Sequence, residues 1–240
     1  MNETIDKVIG SIDLSQNKPL NEIVYEGIRS AIIKGLIPVG ERINEKEYAS
    51  RMNISRTPIR DSLRRVEKEG LVEYIPRYGV VVKKISVANA EEIYQIRKSL
   101  DVLATKNAMK LMKEEDFNEM ERLLKETDQA NEQNDINKVV HYFSEFNEMI
   151  YRFSQMPLLE SIVLRLREYL MRFRDISLSG EQRRQKALDE HWLIFNMMKS
   201  QQYEEIVPVI EEHLDYSKKF VIAEMIRIQE ESKDVPSERK

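Results

Sequence analysis

Along most of the chain apolar residues recur every three or four positions, the spacing of one buried helical face. From Leu20 to Lys34, Val24, Ile28, Ala31 and Ile32 form the first strong stripe, which Gly35 ends in a left-handed cap. Pro38 and Gly40 make a turn, and a short second helix is predicted from Asn44 to Met52 with Tyr48, Ala49 and Met52 inward. Asn53 and Ile54 connect it tightly to a third helix starting at Arg56. Ser55 is its N-cap, the hydroxyl placed to accept a first-turn N–H, and Pro58 fits an early position with no intrahelical bond to lose. On this helix Ile59, Leu63 and Val66 share one face, while Arg56, Arg60 and Arg64 sit four apart on another. One stripe packs, and the other is free to meet something acidic.

After Gly70 the period changes from helical to extended. LVEYI (71–75), PRYG (76–79) and VVVKKI (80–85) read as two strands around a Pro/Gly turn, that is, a hairpin. Three helices followed by a hairpin predict a winged helix-turn-helix, in which the third helix enters the DNA major groove and the hairpin turn touches the flanking backbone or minor groove. Arg77, Tyr78 and Gly79 lie at that turn. Residues 1–18 are polar without clear periodicity and read as a flexible N-terminal arm. From Ala88 almost everything is helical, with helices predicted near 88–112, 114–132, 135–154, 157–177, 182–200 and 202–231. Short breaks at Asn134–Asp135, Met156–Pro157 and Ser179–Gly180 favour antiparallel neighbours in a bundle. Pro208 either kinks the last helix or marks its first turn.

The predicted fold is therefore mainly α. It comprises a winged helix-turn-helix domain over 19–85, an all-helical bundle over 86–232 and a charged tail over 233–240. The chain has no cysteine, which removes disulfides, thiolate nucleophiles and cysteine zinc sites from consideration. No apolar run reaches the roughly 20 residues of a membrane span, and MNETIDKVIGSIDLSQNK lacks the blocks of a secretion signal, so a soluble cytoplasmic protein is expected. A net charge of −4 looks wrong for a DNA binder until the chain is divided. Residues 1–85 carry 15 Lys/Arg against 12 Asp/Glu, residues 86–240 carry 23 against 30, and within 51–84 the balance is 9 basic to 4 acidic. Basic charge is concentrated around the third helix.

The stretch IRSAIIKGLIPVGERINEKEYASRMNISRTPIRDSLRRVEKEGLV resembles the N-terminal domain of GntR-family transcription regulators, notably in GLIPVGERI, ASRMNISRTPIRDSLRRV and the Gly70–Leu71 exit. EIYQIRKSLD (92–101), FNEMIYRFSQMPLL (146–159), DEHWLIFNMM (189–198) and EEHLDYSKK (211–219) resemble the helical effector-binding domain of its FadR subfamily, the FCD type. Six predicted helices rather than seven are closer to the shorter, VanR-like group. The resemblance implies a homodimeric repressor that binds a pseudo-palindromic operator in double-stranded DNA. A small metabolite taken up by the helical domain releases it, and that domain also carries dimerisation. By position, the implied DNA contacts are Lys46 in the second helix, Arg56, Thr57 and Arg60 in the third, and Tyr78 and Gly79 in the wing. Arginine can donate a bidentate pair to guanine worth ~1–3 kcal/mol of discrimination, so Arg56 and Arg60 are expected to read sequence while the others position the protein. Arg64 has Asp61 or Glu67 as alternative partners at a spacing of three, and Arg65 has Asp61 or Glu69 at four.

Many domains of this type hold a divalent metal through an aspartate, a histidine four residues later and two further histidines. His191 and His213 match the last two, but the first two positions are Phe143 and Asn147. Phenylalanine cannot ligate, and an amide oxygen is a poor partner for zinc, so the sequence commits to no cofactor and makes a divalent metal doubtful. His141 lies two residues before Phe143, about 200° around the helix, and faces elsewhere. For His191 and His213 three readings stay open: a hydrogen-bonded pair in the bundle, contacts to an anionic effector, or residual metal binding completed by water or effector. Arg97, which matches a pocket-facing family arginine, either grips an effector carboxylate or phosphate or pairs with Asp101 at i+4. With Arg97, Asn147, His191 and His213 form the candidate effector set, and Arg172 and Arg174 are weaker candidates. Phe143, Phe146, Met149, Tyr151, Phe195 and Met198 read as core. An enzyme built on His191, His213 and a carboxylate is the competing class, but it lacks a ligand set and a nucleophile motif. A helical protein-interaction module is a third, opposed by the basic face.

Overall fold

The computed structural model describes residues 3–13, 15–83 and 85–231, so the predicted tail at 233–240 lies outside the described residues. The chain divides into two compact units, Met1–Ser86 and Val87–Lys240.

The first unit contains helices α1 (Glu3–Gly10), α2 (Leu20–Ile33), α3 (Glu45–Arg51) and α4 (Arg56–Lys68). Its strands are β1 (Arg42–Ile43), β2 (Val72–Ile75) and β3 (Gly79–Val82), in an antiparallel sheet of order β1-β3-β2. Ile59, Leu63 and Val66 on α4 are buried, as are Val24, Ile28 and Ala31 on α2, which packs against it. At about 1.5–3 kcal/mol for each buried aliphatic side chain, this apolar contact is the main force joining the two helices. A polar seam runs beside it. Arg65 donates to both Glu22 carboxylate oxygens at 2.7 and 3.2 Å and lies 3.6 Å over the Tyr25 ring, while Glu69 accepts from Tyr25 and from Arg29. Arg65 thus pairs across helices with neither Asp61 nor Glu69, because α2 brings a carboxylate closer than its own helix does.

The segment expected to be a flexible arm is in part structured. α1 buries Ile5 and Val8 and packs on α2, and Ile12 continues along the same flank. A Cβ on residue 27 would come within 2.3 Å of the Ile12 Cγ1 atom, so only glycine allows this approach. Ile5, Val8, Ile9 and Ile12 follow the i, i+3, i+4, i+7 helical spacing, a short pattern that the reading of residues 1–18 as non-periodic overlooked.

The second unit consists, among its described residues, of six helices: α5 (Val87–Leu111), α6 (Glu114–Glu132), α7 (Ile136–Phe153), α8 (Pro157–Ser177), α9 (Glu181–Lys199) and α10 (Ile206–Glu231). Phe146, Met149, Tyr151, Phe195 and Met198 are buried in its core. Several helices end on left-handed residues other than glycine. Asn53, Asn134, Gln155 and Gln201 have φ of 52–55°, and after α9 the Gln202 N–H reaches back to the Met197 carbonyl at 3.1 Å. That reversal at Gln201 delays α10 to Ile206, four residues later than expected, and puts Pro208 in its first turn. There its missing N–H costs nothing, so no kink is required.

Candidate functional site

In the first unit Lys46, Arg56, Arg60 and Gly79, of the residues expected to face DNA, border one open groove, whereas Thr57 and Tyr78 are not among its lining residues. Asn44 caps α3, its side chain accepting from the backbone N–H of Lys46 at 3.1 Å and of Glu47 at 3.4 Å. This fixes the helix start and holds exposed Lys46 at the groove. α4 starts at Arg56 after Ser55, whose backbone is extended as an N-cap requires, but its hydroxyl makes no capping bond. Arg56, Arg60 and Arg64 border the groove, and Thr57 is exposed in the first turn of α4. Both Arg56 and Arg60 donate to one oxygen, Oε2 of Glu45, at 3.1 and 3.3 Å. Each arginine remains about half exposed. Glu45 thus holds the two guanidinium groups side by side without burying them. Glu67 accepts from the Tyr74 backbone N–H at 3.1 Å, which ties the end of α4 to β2.

The wing turn follows from its own residues. Tyr78 N–H bonds to the Ile75 carbonyl at 3.0 Å, with Pro76 and then Arg77 at the corner. Arg77 has φ of 67°, matching the type II pattern of proline followed by a left-handed residue. Gly79 follows at φ 111°, and a Cβ there would lie 3.3 Å from Arg42 Nε. Arg42, on β1, in turn lies 5.4 Å from the centre of the half-exposed Tyr78 ring. Arg42 also borders the groove, and sequence reasoning missed it because β1 is only two residues long.

In the second unit Arg97, Asn147, His191 and His213 all line a single small cavity of about 40 Å³. They come from α5, α7, α9 and α10. His191 is 2% exposed, stacked on Phe146 with ring centres 4.4 Å apart and met edge-on by Phe143 at 4.8 Å. Burial, followed by the charges of His213, Arg183, Arg167 and Arg174, pushes its pKa well below the usual histidine range, so it is neutral at pH 7. Its Nδ1 has no hydrogen-bond partner. His213 lies 5.1 Å from it, ring to ring, and its Nδ1 is 2.7 Å from Glu190 Oε2. Asn147 donates its amide to the Phe143 carbonyl at 2.7 Å. Arg97 makes the pair with Asp101, Nη2 donating at 2.8 Å, while Nε is buried without a partner beside the cavity. Tyr151 also donates to Asp101, at 2.9 Å, holding the carboxylate in place.

This donor set does not fit a divalent metal. Of the four family positions, Phe143 offers only a ring edge and Asn147 only a neutral amide oxygen, which leaves the two imidazoles of His191 and His213 as the strong donors. Among the described residues no three His, Cys, Asp or Glu side chains are placed to hold an ion. His141 is exposed, 3.7 Å from Glu145, and does not line the cavity. Arg174 does line it, donating to Ser144 and Asp175, both at 2.8 Å, whereas Arg172 is not among the lining residues. Sequence reasoning missed Arg167 and Arg183. Both belong to legible stripes: Arg167, Leu170 and Arg174 on α8 with Leu178 at its C-cap, and Arg183, Ala187 and His191 on α9, at spacings of three and four.

Comparison with known proteins divides the chain in the same way. The family model described as bacterial regulatory proteins, gntR family, matches residues 20–82, and the FCD domain model matches residues 92–216. The HTH-type transcriptional regulator YdhC of Bacillus subtilis is 29% identical over 181 residues, 75% of this chain and 81% of the relative. The HTH-type transcriptional repressor RspR of Escherichia coli is 24% identical over 226 residues, covering 94% and 97%. The solved structure of E. coli McbR/YncC superposes with a TM-score of 0.64 at 21% identity, covering 88% of this chain and 99% of that one, a likeness of fold.

Proposed function

The chain belongs to the GntR family of bacterial regulatory proteins, with an FCD domain after its DNA-binding domain, and we propose that it is a homodimeric repressor released from its operator by a small anionic metabolite. That it is a DNA-binding transcription regulator and not an enzyme follows from the family itself. The released-by-ligand part rests on one observation: the buried cavity of the helical domain is lined by guanidinium groups with unpartnered N–H donors.

In this reading Arg56 and Arg60 hydrogen-bond base edges in the major groove. Lys46, Thr57, Tyr78 and Gly79 fix the domain on the backbone. Two copies set their recognition helices one helical turn apart, about 34–36 Å, so the operator is a pseudo-palindrome. Ile96 and Leu103 on α5, and Leu158 and Ile162 on α8, leave apolar side chains in water in the single chain, which supports pairing of copies. RspR is named a repressor, which supports that sign of regulation. Because the operator is genomic DNA, the protein works in the cytoplasm, and among its described residues no helix is long and apolar enough to cross a membrane. Arg97, Asn147, His191 and His213 contact the effector. Uptake of an effector that weakens DNA binding must, by linkage, be weakened equally by DNA.

The test combines sedimentation of the free protein with footprinting on DNA from its own genomic neighbourhood at fixed salt. A dimer protecting two half-sites is expected. A monomer, or protection unrelated to any inverted repeat, overturns the reading.

A further inference from the structure

The cavity of the helical domain holds more positive charge than its neighbours neutralise. Four arginines line it: Arg97, Arg167, Arg174 and Arg183. Two are paired at close range, Arg97 with Asp101 and Arg174 with Asp175, each at 2.8 Å. The other two are not. The nearest carboxylate recorded for Arg167 is that of half-exposed Glu148 at 4.0 Å, beyond hydrogen-bond reach, and its Nη1 is buried without a partner. Arg183 is 5% exposed, lies 5.0 and 5.3 Å from the ring centres of Tyr216 and Phe220, and has both Nε and Nη1 unpartnered. Glu190 offsets the Arg183 charge in part but takes no hydrogen bond from it, lying 2.7 Å from His213 and 3.7 Å from Lys186.

Aromatic faces stabilise a guanidinium but accept no N–H bonds in its plane. Burial lowers the pKa of both Arg167 and Arg183, and neighbouring arginines add to it, while Tyr151 and Asp101 near Arg167 and Glu190 near Arg183 oppose it only in part. Two guanidinium groups are therefore desolvated with N–H donors waiting for acceptors. Planar forks of this kind match carboxylate or phosphate oxygens. His191, neutral and wedged between aromatic rings, adds one polar nitrogen and no charge. The cavity is small, about 40 Å³, so it admits only a compact ligand.

Building on the anionic-effector reading above, we propose that the effector is a compact oxyanion ligand carrying two negative charges, a short dicarboxylate or a phosphate, held by Arg167 and Arg183 directly and without a metal. These two arginines take over the charge neutralisation that a bound cation would supply in a site with a full ligand set. Arg97, already neutralised by Asp101, orients the ligand through its free Nε rather than matching its charge.

The experiment uses the full chain after chelator treatment, with malonate, succinate and inorganic phosphate as dianions and acetate as the monoanion, at equal ionic strength. Binding is followed by calorimetry and by thermal shift. At least one dianion should bind at least tenfold more tightly than acetate, unaffected by chelator, and the malonate and phosphate arms tell carboxylate from phosphate. Arg183→Gln and Arg167→Gln should each lose that preference. Either variant should melt no lower than the parent without ligand, because an unpaired buried charge has been removed. Equal binding of acetate, or binding that requires added zinc or manganese, overturns the dianion assignment and leaves an anionic effector standing. Full dianion preference in both variants places the ligand elsewhere and overturns the assignment. No binding by any of the four anions overturns the anionic-effector reading and this inference with it.

Discussion

Arg56 and Arg60 on α4 stand half in water and share the Glu45 carboxylate, while Arg167 and Arg183 in the helical domain are buried with donors unpaired. In the proposed function the same side chain meets two kinds of anion. On α4, hydration keeps the free state inexpensive, and Glu45 only sets the direction of the forks, so a groove or phosphate can exchange with a weak surface pair. In the cavity the desolvation cost is already met when the protein folds, and an arriving anion recovers it. Exposed arginines suit fast, salt-sensitive scanning of DNA, and buried ones suit selective capture of one small molecule.

The largest test of this contrast is Asp101→Ala. It removes the acceptor of both Arg97 and Tyr151 and leaves a third unpaired buried guanidinium. A loss of about 3–5 kcal/mol in chemical denaturation of the helical domain is expected. A loss under about 1 kcal/mol would mean that the cavity is wet enough to behave like the surface, and the contrast would fail. Next come Arg56→Ala and Arg60→Ala. Each should lower operator discrimination by ~1–3 kcal/mol while the melting temperature is kept, since both side chains are half exposed. Unchanged footprints for both would remove these arginines from base reading.

pH sharpens the comparison from the cavity side. Because the folded-state pKa of His191 is depressed, the unfolded chain takes up a proton below about pH 6.5 that the folded chain refuses. Stability from this group is constant above that pH and falls below it, by up to about 1.4 kcal/mol per pH unit. His191→Gln should flatten the slope between pH 6.5 and 5.5 relative to the parent, and parallel curves would show that His191 titrates normally. The smallest effect is expected for Glu45→Gln. Releasing Arg56 and Arg60 from a surface carboxylate should strengthen binding to any DNA by no more than about 1 kcal/mol and reduce the gap between operator and random sequence. An unchanged gap in anisotropy titrations would reduce Glu45 to a solvated acid.

Local patterns were readable in advance and long-range partnerships were not. The stripes on α4 announced which face packs and which is free, and Gly70 and Gly35 marked helix ends. Arg65 was open to two partners within its own helix, yet Glu22, 43 positions away, takes both of its donors. That Arg97, Asn147, His191 and His213 would come together was legible through family positions, whereas Arg167 and Arg183 required knowing which stripes of α8 and α9 face the same cavity. The ends of α7 and α9 were placed within a residue, but not the left-handed turns at Gln155 and Gln201, because glutamine carries little left-handed preference.

Gly27 and Ile12 have a practical consequence for anyone cutting the molecule into pieces. The family match starts at residue 20, an inviting place to begin a DNA-binding fragment. A fragment cut there discards Ile5, Val8 and Ile12, and leaves in water the α2 flank on which they lie, including the bare backbone at residue 27 that admits Ile12. The sticky surface so made would invite self-association that mimics dimerisation. Oligomer measurements on this domain are meaningful only when the fragment retains α1.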